Sequence, residues 1–276
     1  MLISNDDYIA EIIDEAPYVL DKFTLQLYLY VEGKPPIPLS SSVLIKTYQN
    51  HYLLTAAHVI KENPINTVFV LNPGSGGITL SGECISSEIA KNEVSNRTDI
   101  AVIKLNHALM EPISKLKKEF FDITTYNLDY YSREDFYLIY GYPVSKTKRI
   151  GSRKTIQSRP FNFLTGITDI PIKEIDRPWT IQMMFTKNRI IKLKTGERIK
   201  APNPVGLSGC GLWSLEQILY QKEDKPRFQL KGILIEYERD RSILVCTKMN
   251  IICQLLINKF KEPLPGPKSL ANYDIS

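Results

Sequence analysis

An all-β fold is predicted for this 276-residue chain on three observations. Apolar residues recur with a period of two, or in short continuous runs, and these segments are bounded by Gly, Pro and Asn turns. Helical spacing of apolar residues is confined to the two ends of the chain. The strand-like segments fall into two sets, one on each side of a stretch of mixed character at 106–134. Many short strands of this kind suit small antiparallel barrels, in which no long sheet edge is left open.

In order, Asn5 and Asp6 are candidate caps for a short amphipathic helix over 5–15. Ile9, Ile12 and Ile13 share one of its faces, and it is expected to pack outside the main fold. From Phe23 the period changes to two: Phe23, Leu25, Leu27, Leu29 and Val31 alternate with polar residues and Tyr. A Gly33-Lys-Pro-Pro turn follows. Segments 42–48 and 51–55 flank Gln49-Asn50 as a hairpin, and 67–71, 78–89 and 101–105 complete the first set. The second set runs through 136–143, 167–175, 180–185, 189–194, 211–215, 229–237 and 242–247. Residues 250–260 form the closing helix, and 262–276, with three prolines, read as a tail. The expected division is therefore a helical extension (1–19), a first β unit (20–125), a second with the closing helix (126–261), and the tail (262–276). No internal repeat or low-complexity block is visible.

Three stretches carry chemistry. Pro204-Val-Gly-Leu-Ser-Gly-Cys-Gly-Leu-Trp213 contains Gly206-Leu-Ser208-Gly209. A nucleophilic serine must stand on a tight turn whose N–H groups aim at the carbonyl it attacks. Gly206 can take φ > 0 there without a side chain in the way. Upstream, Tyr52-Leu-Leu-Thr-Ala-Ala-His58 reads as a buried strand ending in a small-residue turn that presents a histidine. Arg97-Thr-Asp99-Ile-Ala-Val-Ile-Lys-Leu105 places an aspartate at the mouth of another buried strand. The order His, Asp, Ser is that of one convergent serine-hydrolase arrangement. The three residues are far apart in sequence, so they can meet only through the fold.

At these residues the chain resembles the trypsin/chymotrypsin-like serine proteases. It carries Thr-Ala-Ala-His intact, Asp-Ile-Ala-Val for the family's Asp-Ile-Ala-Leu, and Gly-Leu-Ser-Gly-Cys for Gly-Asp-Ser-Gly-Gly. The resemblance covers roughly residues 20–260. It implies two six-stranded antiparallel β-barrels, with the site in the cleft between them and a helix at the end. It also implies Ser208 as nucleophile, His58 as general base and then acid, and Asp99 as the group that fixes the imidazole tautomer. The N–H groups of Gly206 and Ser208 would form the oxyanion hole. The expected activity is an intracellular serine endopeptidase acting through an acyl-enzyme on a protein or peptide substrate, with no cofactor and no metal. The alternative is a catalytically silent module of the same fold that binds a protein. By analogy of context, small cytosolic proteases of this kind resemble parts of bacterial stress or defence systems.

Two departures from the family pattern stand out. Leu207 replaces an aspartate that, in zymogens, pairs with a newly cut N-terminus. Any latency is therefore expected to come from a loop or a regulatory protein partner. Cys210 replaces a glycine, and reads either as a small buried residue or as a rival nucleophile of the viral cysteine-protease kind. Ser208 occupies the place where the cysteine pattern needs glycine, which favours Ser208. Primary-pocket positions implied by the resemblance are Pro202, Ile235, Glu236 and Tyr237. Glu236 as the nearest carboxylate gives an expected preference for Arg or Lys. Against that, Glu236 on a strand could face solvent, and Tyr237 could narrow the pocket. His51 and His107 read as structural.

Composition is that of a globular protein: 43% hydrophobic, 24% charged, net charge +5. Two basic runs, Lys146 to Lys154 and Lys187 to Lys200, read as solvated hairpin or loop faces. Nucleic acid is not an expected partner, because no recognition motif or stacking aromatic pattern accompanies them. No secretory signal and no membrane-spanning apolar run is visible. Cys84, Cys210, Cys246 and Cys253 lack framework spacing and read as reduced thiols of a cytoplasmic protein.

Overall fold

A computed structural model describes residues 5–72, 76–87, 98–124, 136–150, 155–168, 170, 179–187, 190–191, 197–215 and 228–265, with backbone alone for 5–12, 150, 155, 191 and 215. The first half contains β1 (Thr24–Leu29), β2 (Ile37–Lys46), β3 (His51–Ala56), β4 (Val68–Asn72), β5 (Gly76–Thr79), β6 (Gly82–Ser86), β7 (Ile100–Leu105) and the short β8 (Phe121–Asp122). Their order is β5-β4-β1-β2-β3-β7-β6, with β8 beside β2. β5 and β6 are one strand bent at a corner. The Leu80 N–H still donates to Val68 O in the β4 ladder, and Ser81 O already accepts from Asn106 N beyond β7. Gly82, at φ +152, makes the bend; a Cβ there would lie 2.0 Å from Lys104 O. Counted this way, six strands close into a barrel.

The second half contains β9 (Tyr137–Gly141), the hairpin β10 (Thr147–Ile150) and β11 (Thr155–Ser158), β12 (Phe161–Thr165) and β13 (Thr180–Met184). The short pair β14 (Ile190–Ile191) and β15 (Arg198–Ile199) follows, then β16 (Gly211–Leu215), β17 (Phe228–Glu238) and β18 (Ile243–Lys248). The main sheet runs β12-β9-β16-β17-β18-β13. It closes where the chain beyond β12 reaches β13, through an Ile167–Met183 bridge and bonds from Met184 N to Gly166 O and Thr168 N to Gln182 O. The expected double barrel is therefore present. Strand β12 lies outside the segments expected from the sequence, and hairpin β10–β11 falls where the basic run was read as a hairpin or loop face. Of the strand expected at 167–175, only a single bridge at Ile167 is seen, and 171–175 lie outside the described residues.

Strand alternation explains the cores. In β2, β3 and β7, Leu44, Leu53 and Ile103 point into the first barrel, while Val43, Ile45, Tyr52, Leu54, Ile100 and Val102 point the other way. That outer face meets Leu138, Tyr140, Trp213, Leu230 and Ile233 of the second barrel, so the central strands are buried on both sides. Tyr137, Ile139, Phe185, Leu207, Leu212, Leu234 and Cys246 fill the second barrel.

Helix α1 (Asn5–Leu20) is longer than expected and is not packed outside: Ala16 and Leu20 are buried in the inter-barrel cluster. The end of α1 is pinned by Asp21, which accepts from Lys118 Nζ (2.8 Å) and from the hydroxyls of Tyr140 and Tyr142. Two short helices join the first barrel's strands, α2 (Ala57–Lys61) and α3 (Met110–Lys115). Helix α4 (Met249–Phe260) buries Ile252, Cys253 and Leu256 in the same cluster as α1. The first residues of the expected tail are built into the molecule. Glu262 is buried and accepts from Asn50 Nδ2 (2.5 Å) and the Tyr52 hydroxyl. No described helix is long and apolar enough to cross a membrane.

Candidate active site

β3 ends at Ala56 because the chain turns at once into α2, whose second residue is His58. The partner strand β7 is preceded by Asp99, held at φ +27. Few non-glycine residues adopt positive φ, and Asp is among those that do. The conformation is fixed from three sides. Asp99 O accepts from Ala57 N at 2.9 Å, Asp99 Oδ1 from His58 N at 2.9 Å, and Asp99 Oδ2 lies 2.6 Å from His58 Nδ1. Thr98 O also accepts from the Thr247 hydroxyl of β18, which ties this corner to the second barrel. The aspartate therefore orients both the backbone and the ring of His58. Its hydrogen bond raises the His58 pKa above the ordinary value; burial opposes this, and the charges of Asp99, Glu62 and Glu236 add to the rise.

Ser208 stands half-exposed on a turn whose neighbours Gly206, Leu207, Gly209 and Cys210 are all buried. Gly206 has φ +91 and Gly209 φ +85. A Cβ at Gly209 would meet Ser41 O at 2.1 Å, and one at Gly206 would meet Val144 N at 2.8 Å. Within the turn, Leu207 N donates to Pro204 O, Gly209 N to Leu234 O and Cys210 N to Leu207 O. Among the described residues, the N–H groups of Gly206 and Ser208 donate to no protein acceptor. These two are the donors expected of an oxyanion hole. No hydrogen bond joins Ser208 to His58 among the described residues; such bonds are often long until substrate binds.

Sequence reasoning missed Ser41, which links the two halves of the site. It is fully buried in β2. Its N–H donates to Ser208 O (3.0 Å), its hydroxyl donates to Gly206 O (2.9 Å) and accepts from Tyr142 N (2.8 Å), and its carbonyl accepts from Thr55 Oγ1 (3.0 Å). The available signal was Ser40-Ser41-Ser42 inside an otherwise apolar strand. Three polar side chains there need buried partners.

Cys210 is fully buried and its thiol pKa is pushed well up by burial, which suppresses the thiolate a cysteine nucleophile needs. Leu207 points into the second barrel. The expected pocket residues sit in different surroundings. Pro202 borders a cavity of about 470 Å³ whose lining includes none of the other three. Ile235, bulged out of register between Leu234 and Glu236, packs against the first barrel's core, and Tyr237 stacks edge-on with Phe185. Glu236 is half-buried and lies within electrostatic reach of His58. The bulge reverses the faces of the residues that follow it, so Tyr237 packs with the second barrel's core while Ile235 stays on the first barrel's side.

No protein-family profile matches the chain, and no curated protein sequence matches it. Among solved structures it is similar to the serine protease domain of the Sesbania mosaic virus polyprotein. The likeness has a TM-score of 0.43 and 15% identity, and covers 84% of this chain and 91% of that one. A second similar structure concerns the coupled folding and binding of the intrinsically disordered Sesbania mosaic virus VPg protein; its TM-score is 0.43 at 15% identity, covering 88% of this chain and 97% of that one.

Proposed function

We propose that the protein is a serine endopeptidase in which Ser208 attacks a peptide carbonyl. The observation that carries this reading is the Asp99–His58 pair, with both carboxylate oxygens engaged on His58. With Nδ1–H committed to Asp99, the free Nε2 is left as the acceptor for a serine proton. His58 takes that proton as Ser208 adds to the carbonyl, and the N–H groups of Gly206 and Ser208 receive the oxyanion. The same imidazole then protonates the leaving amine, and water returns along the same path to release the acyl group. Because the Asp99 carboxylate supports the imidazolium that forms between these steps, it contributes without giving up its own charge.

The test is labelling by a fluorophosphonate together with peptide hydrolysis. Wild type is expected to label at Ser208, and Ser208→Ala to lose labelling and about 10⁶ in turnover, with His58→Ala as severe and the double variant hardly worse. Retained activity in Ser208→Ala, or loss in Cys210→Ala at full fold stability, would overturn the assignment of the nucleophile.

A further inference from the structure

The cavity that Pro202 borders lies beside the segment that leads into the Ser208 turn. Its lining includes Lys146, Lys148 and Arg159 from hairpin β10–β11 and its flanks, and Lys200 and Asn203 from the segment opposite. No carboxylate is in its lining, and among the described residues none of the four cations forms an ion pair. Strand alternation builds this arrangement. Thr147 and Ser158 share one face of the hairpin, where they bond to each other, to Gln26 Nε2 and to the Tyr28 hydroxyl of the first barrel. Lys146, Lys148, Gln157 and Arg159 are therefore turned to the other face, all four exposed.

Lys146 stands opposite Arg159, whose N–H donates to Lys146 O, and Lys148 stands opposite Gln157. Like charges placed directly across a strand pair repel. With Lys200 facing them over the cavity, the arrangement concentrates positive charge that no group of the described protein neutralises. A compact anion with several charges would do so, and charge-assisted hydrogen bonds from lysine and arginine would hold it. The cavity is also tied to the site. Its two walls meet where Val144 N donates to Val205 O (2.9 Å), one residue before Gly206.

We propose that this cavity binds a short oligophosphate, and that a bound anion clamps hairpin β10–β11 to segment 200–203 and so steadies the turn bearing Ser208. The shared chemistry is a chain of phosphates, whether inorganic or carried by a nucleotide. The second half of the proposal rests on Ser208 acting as a nucleophile, whereas the first does not.

The test is calorimetric titration of inorganic tripolyphosphate into the Ser208→Ala protein, which reads binding without hydrolysis. Binding is expected to weaken about tenfold in Lys148→Gln and again in Lys200→Gln, to fall with added salt, and to be unchanged in Lys34→Gln. ATP that binds with the same lysine dependence supports the site and adds a nucleotide as a source. Equal affinity in all variants, or binding only by oligothymidylate or oligoglutamate, overturns it. In wild type, saturating tripolyphosphate is expected to raise the rate of fluorophosphonate labelling; an unchanged rate overturns the coupling. Tripolyphosphate binding in a protein that never labels would strike the hydrolase reading and leave the anion site standing.

Discussion

At the scale of residues, the site depends on how completely Asp99 commits His58. The carboxylate holds the backbone N–H with one oxygen and Nδ1 with the other, so the ring can neither flip nor change tautomer without breaking a short bond. The raised His58 pKa has two consequences of opposite sign. The proposed mechanism requires neutral imidazole, so turnover is expected to rise with pH through an inflection above the ordinary value of about 6.5. Stability behaves the other way. A group whose folded pKa is raised stabilises the fold fully below its unfolded pKa, and this contribution is lost as pH rises through the folded value. Asp99→Asn removes the main cause of the rise. It is expected to move the rate inflection toward lower pH and to reduce turnover by about 10⁴. Rate profiles of wild type and variant check both, and an inflection that does not move would show that Asp99 is not what holds the His58 proton.

At the scale of elements, β2 positions the turn that bears Ser208. Ser41 reaches both ends of the Gly206–Ser208 turn and also holds Tyr142, while Thr55 of the histidine strand holds Ser41. The acid–base corner and the turn are thus joined through two neighbouring strands of the first barrel. Ser41→Ala leaves Tyr142 N and Gly206 O without this partner in a buried place. The expected cost is about 2 kcal/mol of stability, read as a lower denaturant midpoint. Labelling at Ser208 is also expected to slow, because the carbonyl just before Leu207 is no longer held. Slower labelling at unchanged midpoint would contradict this account, since both effects come from the same buried bonds.

At the scale of the molecule, the two barrels share one apolar cluster. Val43, Leu54 and Val102 from the first barrel meet Trp213 and Ile233 from the second, with α1 and α4 packed over the seam. Neither half can expose that face cheaply, so a single cooperative unfolding transition is expected. Trp213 lies at the seam, against Phe23 and Phe121 of the first half, and Trp179 packs on Ile251 of α4, so tryptophan fluorescence reports the second half and the seam together. Leu54→Ala in the first half is expected to cost about 3 kcal/mol. It should shift the tryptophan transition and the calorimetric peak together. A tryptophan transition that ignored the substitution would mean that the halves unfold independently.

Sequence alone determined the parts whose physics is local. Alternation along β1 and short continuous apolar runs along β3 and β7 marked strands, and glycines at 206 and 209 marked a turn that requires positive φ. His58, Asp99 and Ser208 were legible because each sits in its own short pattern. The tertiary structure decided whatever depends on two distant segments meeting. Closure of the first barrel by a strand bent at Leu80–Ser81, and Ser41 as the link between barrels, follow from long-range hydrogen bonds that leave little local trace. The placement of positions 235–237 was decided by one bulge, which a period-of-two reading cannot see and which turns the side chains that follow it to the opposite face. The basic run at 146–148 looked like a solvated face, because charge in sequence does not say what stands across from it. Only the fold brings Arg159 and Lys200 to the same cavity.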